Sequence, residues 1–242
     1  MRRFLIDPLP QENTTTHLGK EESHHIRKVL RLKKGDTIEL FDGQGMTYQA
    51  TISEIGKLIQ VSIDSGKAST PPLPRLQLHL GLLKGKKMEF VIQKATELGV
   101  HTIHPFSSDF TEAQLPKEQK KERWHKISLE ACKQCGRNWP LIINEPSPVA
   151  EQVQTLPADA SSVLFWEDEI RQDPGDLAFP NELTDLHLFI GPEGGFSPEE
   201  VGLCQQHMPA VSLGPLTLRA ETAVITALSL ALFLTGRMQH QS

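Results

Sequence analysis

Residues 186–200 read Leu-His-Leu-Phe-Ile-Gly-Pro-Glu-Gly-Gly-Phe-Ser-Pro-Glu-Glu, and residues 213–223 read Leu-Gly-Pro-Leu-Thr-Leu-Arg-Ala-Glu-Thr-Ala. In both stretches a short apolar run passes into a Gly/Pro loop and then into a segment patterned as a helix. Strand, glycine turn, helix start is how α/β proteins place small-molecule pockets at the carboxyl ends of their strands. Ser197 is the expected N-cap, Pro198 the first helical residue, and Glu200 closes a capping box. Such a cap contributes about 1 kcal/mol. Gly191, Gly194 and Gly195 lack side chains, so a ligand can reach the main chain there. One such loop reads equally well as a plain turn; two of similar construction in one chain favour a pocket.

Upstream, strands and helices alternate from Arg75 onward. Strands are expected at 75–82, 100–105, 140–143, 162–166, 186–190 and 211–213, with helices at 86–98, 117–136, 147–155, 198–207 and 220–235. This alternation predicts an α/β fold with a mostly parallel sheet and helices on its faces. Gly99 and Gly236 stand where helix C-caps belong. Residues 1–65 have another grammar: strands at 3–6, 37–41, 46–52 and 58–63, a hairpin turn at Asp42-Gly43-Gln44-Gly45, and a helix from Ser23 to Leu30 with Ile26, Val29 and Leu30 on one face. Residues 65–74, rich in Gly, Ser and Pro, read as an unpaired linker. The expected domains are therefore 1–68, a small β domain, and 75–242, an α/β domain.

The 242 residues carry a mild net charge of −5, unevenly spread. Residues 1–70 hold ten Lys/Arg against nine Asp/Glu, and the remainder fifteen against twenty-one. An anionic partner is therefore sought in the first part. There, Arg27, Lys28, Arg31, Lys33 and Lys34 follow His24 and His25, with Arg2 and Arg3 extending the patch. The cluster reads as a phosphate-backbone contact or as a solvated helix face.

Three cysteines make no disulfide framework and fit a reducing cytoplasm. The start, with two arginines and three apolar residues before Asp7, is not expected to be a signal peptide. The longest apolar stretch, Ala223–Leu234, is too short to span a bilayer. Cys132-x-x-Cys135 lies inside a helical pattern without a second pair, so buried packing is favoured and no metal site is assigned. No phosphate-loop, dinucleotide or nucleophile-elbow motif is present. Lys94 and Glu97 read as a helix-surface pair. Arg219 and Glu221, between a Gly-Pro loop and an apolar helix, read either as an ion pair or as an anion or base contact.

Together these residues resemble the RsmE-type 16S ribosomal RNA (uracil-N3)-methyltransferases of the SPOUT superfamily. The resemblance is carried by Arg2-Arg3-Phe4, residues 25–35, Gln93 to Val100, Glu130 to Arg137, Gly191 to Ser197 and Leu218 to Ala223. It implies a PUA-like RNA-binding β-barrel domain, a SPOUT domain with a C-terminal trefoil knot, S-adenosylmethionine as methyl donor, a homodimer, and 16S rRNA or the small ribosomal subunit as partner. At 107–112 the sequence Ser-Ser-Asp-Phe-Thr-Glu departs from the family's Ser-Glu-Arg-like stretch, and no site is assigned there.

On this resemblance, Gly191, Pro192, Glu193, Gly194, Gly195, Leu213, Gly214, Leu216, Leu218, Thr222 and Ala223 are expected to hold the donor. Arg2, Arg3, Arg27, Lys28 and Arg31 are expected to meet RNA. The apolar 223–234 helix is expected to bury part of its surface against a partner. Uracil N3 must lose a proton, and Arg219 is expected to stabilise the resulting charge on a ring oxygen. Glu221 is expected either to orient Arg219 or to begin the helix. Two alternatives stand beside this reading: a SPOUT enzyme for another rRNA or tRNA base, and a non-catalytic RNA-binding protein.

Overall fold

The computed structural model describes residues 2–6, 14–180 and 182–238. Asp7, on which the reading of the N-terminus turns, lies outside the described residues, as do the parts of the two expected domains at 1, 7–13, 181 and 239–242.

The first compact unit comprises Met1–Pro71 together with Leu129–Pro140. Its strands are β1 (Arg3–Leu5), β2 (Thr15–His17), β3 (Thr37–Phe41), β4 (Met46–Ile55) and β5 (Ile59–Ala68), in the order β1-β3-β4-β5-β2. The predicted hairpin joins β3 to β4: the Asp42 carboxylate accepts from the amides of Gln44 (2.7 Å) and Met46 (3.0 Å). Inward residues Ile38, Leu40, Ile52, Ile59 and Val61 pack around Phe4 and Ile26. Strand β5 is longer than expected, pairing Gly66, Lys67 and Ala68 with Tyr48, Thr47 and Met46, and the Ser69 amide still donates to the Gly45 carbonyl at 3.0 Å.

The helix expected at 23–30 is divided. Helix α1 (Lys20–His24) passes into a π-helical turn at His25–Leu30 that ends at Arg31, whose φ is 53°. Ile26 is fully buried but Val29 is 64% exposed. The apolar face is thus too weak to hold a regular helix to its end.

The second unit comprises Pro72–Ser128 and Leu141–Ser242. The expected single block 75–242 is corrected here: residues 129–140 belong with the first unit. The guanidinium of Arg3 is the physical reason. It donates to the carbonyls of Cys132 (3.0 Å) and Arg137 (2.7 Å) and to the Asn138 side chain, pairs with Glu39 at 2.7 Å, and lies over the Phe41 ring.

The strands of the second unit are β6 (Arg75–Gly81), β7 (Val100–Ser107), β8 (Ile142–Ile143), β9 (Ser147–Pro148), β10 (Ser161–Phe165), β11 (Asp185–Ile190) and β12 (Ala210–Val211). They run in the order β12-β10-β11-β6-β7-β8, with β9 also on β7, and every described pairing is parallel. The helices are α2 (Lys87–Glu97), α3 (Glu118–Cys135, whose residues from Leu129 on belong to the first unit), α4 (Val149–Gln154), α5 (Pro198–Gln205) and α6 (Ala220–Leu234). Leu76, Leu78 and Leu80 of β6 and Leu186, Leu188 and Ile190 of β11 share a core with α2 and α6. Phe106 and Phe189 pack with α4 and α5 in a second core. The sheet is thus buried on both faces, as is usual for a parallel sheet, although β6 and β11 carry polar residues between their leucines.

One part of this interior is polar. His79, 4% exposed, stacks on Phe189 (4.0 Å between centroids) and His104 (4.4 Å). Its ring nitrogens meet Gln152 Oε1 at 2.7 Å and His187 Nδ1 at 3.0 Å. Burial pushes the His79 imidazole well below its ordinary value; His104 and His187 act in the same direction and the Gln152 hydrogen bond opposes them. Burial and then His187 lower His104 to about 4, and burial lowers His187 against the opposing pull of Asp185.

All three rings therefore fold neutral. The unfolded chain binds more protons than the folded one below the ordinary histidine value of about 6.5, so stability is full above that pH and declines as pH falls towards about 4. Urea unfolding between pH 7.5 and 4.5 is expected to show a loss on the order of 2 kcal/mol, discounted for the partial exposure of His104. A flat profile across that window would show the cluster to be stable when charged.

Candidate functional site

Strands β11, β10 and β12 are hydrogen-bonded neighbours and parallel, so their carboxyl ends emerge together. At those ends lies a cavity of about 330 Å³. Phe165, Trp166 and Glu167 reach it from β10, Ile190 to Glu193 and Gly195 from β11, and Ser212 to Gly214 and Leu216 to Arg219 from β12; Ala220 and Ala223 come from the start of α6 and Lys87 from α2.

Local chemistry shapes each loop. After β11, the Gly195 amide donates to the Pro192 carbonyl at 3.0 Å, and Gly195 has a φ of +74° that disfavours any side chain. The chain then enters α5 through the expected cap. Ser197 Oγ accepts from the Glu200 amide at 3.3 Å, and the Glu200 carboxylate accepts from the Ser197 amide at 2.8 Å. After β12, the Gly214 amide donates to Ser212 Oγ at 3.3 Å and the Ser212 hydroxyl donates to the Gly214 carbonyl at 3.1 Å. Arg219 is the N-cap of α6, its carbonyl accepting from the Thr222 and Ala223 amides at 2.9 and 2.8 Å.

Four charged side chains line the cavity: Lys87, Glu167, Glu193 and Arg219. Lys87 Nζ is 3.1 Å from Glu193, whose carboxylate also accepts from the Lys84 amide at 3.2 Å. Burial pushes the Glu193 carboxyl up, but its own backbone amide, Lys87 and the Lys84 amide outweigh that and hold it below its ordinary value. Arg219 is exposed and its guanidinium has no hydrogen bond or ion pair among the described residues. Glu221 does not engage Arg219; it lies in the first turn of α6, with Oε2 3.8 Å from Lys87 Nζ and without a hydrogen bond.

Of the residues expected to hold a donor, Gly191, Pro192, Glu193, Gly195, Leu213, Gly214, Leu216, Leu218 and Ala223 line the cavity, as does Arg219. Gly194 and Thr222 do not. A Cβ on Gly194 would stand 2.8 Å from the Cβ and carbonyl oxygen of Phe110, so that glycine serves a close approach of the 107–112 loop. Thr222 is exposed, and its carbonyl accepts from the Thr226 hydroxyl at 2.9 Å. Lys87, Phe165, Trp166, Glu167 and Ser212 were not legible from motifs. The usable signal for the middle three was position, at the carboxyl end of a parallel strand.

Among the basic residues of the first unit, Arg2, Arg27, Lys28 and Arg31 are exposed, with Arg27 also donating to the Gly56 carbonyl at 3.0 Å. Arg3 is the exception. It is 8% exposed and spent on the internal contacts described above, so its expected RNA contact is withdrawn. Lys94 Nζ pairs with Glu97 at 2.8 Å, as a surface reading of that stretch expects. Cys132 is buried and Cys135 exposed; among the described residues no group of three His, Cys, Asp or Glu is placed to hold a metal ion. No helix among the described residues is long and apolar enough to cross a membrane.

Comparison with known proteins agrees with this architecture. Residues 70–232 match the RNA methyltransferase domain family and residues 18–64 the RNA methyltransferase PUA domain family. The ribosomal RNA small subunit methyltransferase E of Buchnera aphidicola (Schizaphis graminum) is 34% identical over 240 residues, covering 94% of each chain. A Legionella pneumophila protein solved with S-adenosylmethionine bound is 33% identical with a TM-score of 0.84, covering 96% of this chain and 97% of that one. The Neisseria gonorrhoeae ribosomal RNA small subunit methyltransferase E, also solved with S-adenosylmethionine, is 26% identical with a TM-score of 0.87, covering 97% and 98%. With a β unit matching a PUA domain, a parallel sheet matching an RNA methyltransferase domain, and such relatives along nearly its whole length, the chain belongs to the ribosomal RNA small subunit methyltransferase E family.

Proposed function

We propose that this protein methylates N3 of a uridine in 16S rRNA, using S-adenosylmethionine held in the cavity at the ends of β10, β11 and β12. The observation that carries the reading is the cavity itself: about 330 Å³, lined by two glycine loops and the first turn of α6. The chemistry of its lining suits this donor. Phe165, Ile190, Leu213, Leu216 and Leu218 offer apolar contact, loops 191–195 and 213–218 offer backbone N–H and C=O groups, and Ala220 and Ala223 leave room beside α6. When bound, the donor supplies an electrophilic methyl group on its sulfonium.

The protein's own contribution is positioning and electrostatics. Arg219 stands at the cavity with its guanidinium uncommitted, available to hydrogen-bond a uracil oxygen as N3 loses its proton. The target edge is used in base pairing, so the base must be unpaired or extruded. Arg2, Arg27, Lys28 and Arg31 supply phosphate contacts. Only a few such contacts are available, so affinity should fall by roughly 0.7–0.9 log units per contact for each tenfold rise in salt.

The C-terminal trefoil knot implied by the family resemblance belongs to this reading and is supported by the match of residues 70–232 to the RNA methyltransferase domain family. The exposed Phe233 on α6, at 68%, supports a homodimer that covers this helix. The site of action is the cytoplasm.

Titration calorimetry with S-adenosylmethionine and mass mapping of 16S rRNA modified in vitro test the assignment. A saturable heat of binding and one added methyl on a uridine N3 are expected. Binding of RNA without donor heat would leave only an RNA-binding module; a methyl on another base or on tRNA would redirect the substrate.

A further inference from the structure

The charges lining the cavity divide into two kinds. Lys87 and Glu193 face each other at 3.1 Å, and Glu193 is further held by the Lys84 amide. Glu167 and Arg219 line the same cavity, yet neither side chain has a hydrogen bond or ion pair among the described residues. Arg219 has a proposed role on the acceptor base. Glu167 has none.

Its position is specific. Glu167 follows Phe165 and Trp166 directly off β10, the strand lying between β11 and β12, so it stands in the middle of the three strand ends that form the cavity. The Trp166 amide donates to the Val211 carbonyl at 3.0 Å and fixes the main chain immediately before it. Glu167 Oε1 lies 2.8 Å from the point that a Cβ on Gly195 would occupy. The carboxylate therefore rests against a glycine of the first loop, in space that any other residue at 195 would fill.

Covering this carboxylate with a ligand would cost desolvation free energy unless the ligand brought a cation to it. The chain's own cavity lysine is committed to Glu193, and Arg219 makes no bond to Glu167.

We infer that Glu167 reads the positive charge of the methyl donor and makes the cavity selective for a cationic ligand; the inference rests on the donor-cavity reading above. S-adenosylmethionine carries two cationic centres, the sulfonium and the α-ammonium, and a carboxylate stabilises either by charge-assisted contact. The demethylated product, S-adenosylhomocysteine, keeps the ammonium and loses the sulfonium charge. Comparing the two ligands therefore identifies which centre Glu167 meets.

The test is titration calorimetry of the full-length wild-type protein and Glu167→Gln with both ligands. Gln keeps the shape and removes the charge. Because the side chain is exposed, the expected loss for S-adenosylmethionine is about tenfold in Kd. A loss for S-adenosylmethionine alone assigns the sulfonium, and an equal loss for both ligands assigns the ammonium; either supports the proposal. Unchanged affinity for both overturns it. So does unchanged affinity with a lower kcat and an altered pH–rate profile, which would move Glu167 to proton handling on the acceptor base. Wild-type protein that gives no heat with either ligand would remove the donor cavity, and the role of Glu167 with it. The thermal unfolding midpoint of ligand-free Glu167→Gln is expected to match wild type, which separates loss of charge from loss of fold.

Discussion

Arg219→Ala is expected to lower methyl transfer by about 100-fold or more while leaving the affinity for S-adenosylmethionine within a few-fold of wild type. The expectation follows from where the side chain is. Arg219 caps α6 through its main chain, which alanine keeps, and its carbonyl still receives the Thr222 and Ala223 amides. The guanidinium makes no bond to the protein among the described residues, so its removal orphans no internal partner. What is lost is a cation at the cavity where charge develops on the uracil oxygen. Such a group acts on the transition state more than on the ground state, so the loss should fall on kcat. Arg219→Lys should recover only part of the rate, because an ammonium keeps the charge but loses the planar fork. Single-turnover transfer assays alongside donor calorimetry check both variants. Unimpaired transfer in Arg219→Ala would remove this residue from the chemistry.

Gly81→Ala is expected to destabilise the second unit by about 3 kcal/mol or more and to abolish donor binding with it. Gly81 ends β6 directly beneath the first glycine loop. A Cβ there would stand 2.3 Å from Pro192 N, 2.4 Å from Pro192 Cδ and 2.9 Å from the Gly191 carbonyl carbon. Main chain and a proline ring cannot rotate away as a flexible side chain can, so the loop or the strand end must shift by most of an ångström. The core around them, with Leu80 and Ile190 buried on adjacent strands, resists that shift.

Gly202→Ala is the matched control. It lies within α5, nothing stands within 4 Å of its added Cβ, and helix propensity alone predicts a gain of about 0.5–1 kcal/mol. Chemical unfolding of the two variants reads the difference. Wild-type stability in Gly81→Ala would show the contact between the end of β6 and the first loop to be slack.

The chain carries its fold class and its two loops on the surface of its sequence, for local physical reasons. Alternating Leu76, Leu78 and Leu80 can bury one sheet face only as a strand, and the period of α2 and α6 can bury an apolar stripe only as a helix. The reciprocal cap bonds between Ser197 and Glu200 span only three residues, so the loop's end is marked locally. The glycine loops were legible because glycine and proline act on the backbone where they stand.

The remaining features depend on partners distant in sequence. Arg3 looked like one more surface cation beside Arg2, but the carbonyls of Cys132 and Arg137 bury it, and they return from more than 120 residues away. Gly194 looked like a ligand-facing glycine, whereas the approach of Phe110 explains it. Residues 129–140 left the α/β unit for the same kind of reason. Glu167 bore no motif, since nothing local marks a carboxylate as a cavity residue. Its place became visible only when the sheet order put the end of β10 between those of β11 and β12. The sequence by itself determined the long strands and helices, the Ser197 cap and the two loops, because hydrogen-bonding and burial periods act over a few residues, whereas the short strands β2 and β9 and the π turn at His25–Leu30 were not legible in it. The tertiary structure alone decided which side chains face the cavity, because parallel pairing joins strands that are far apart in the chain.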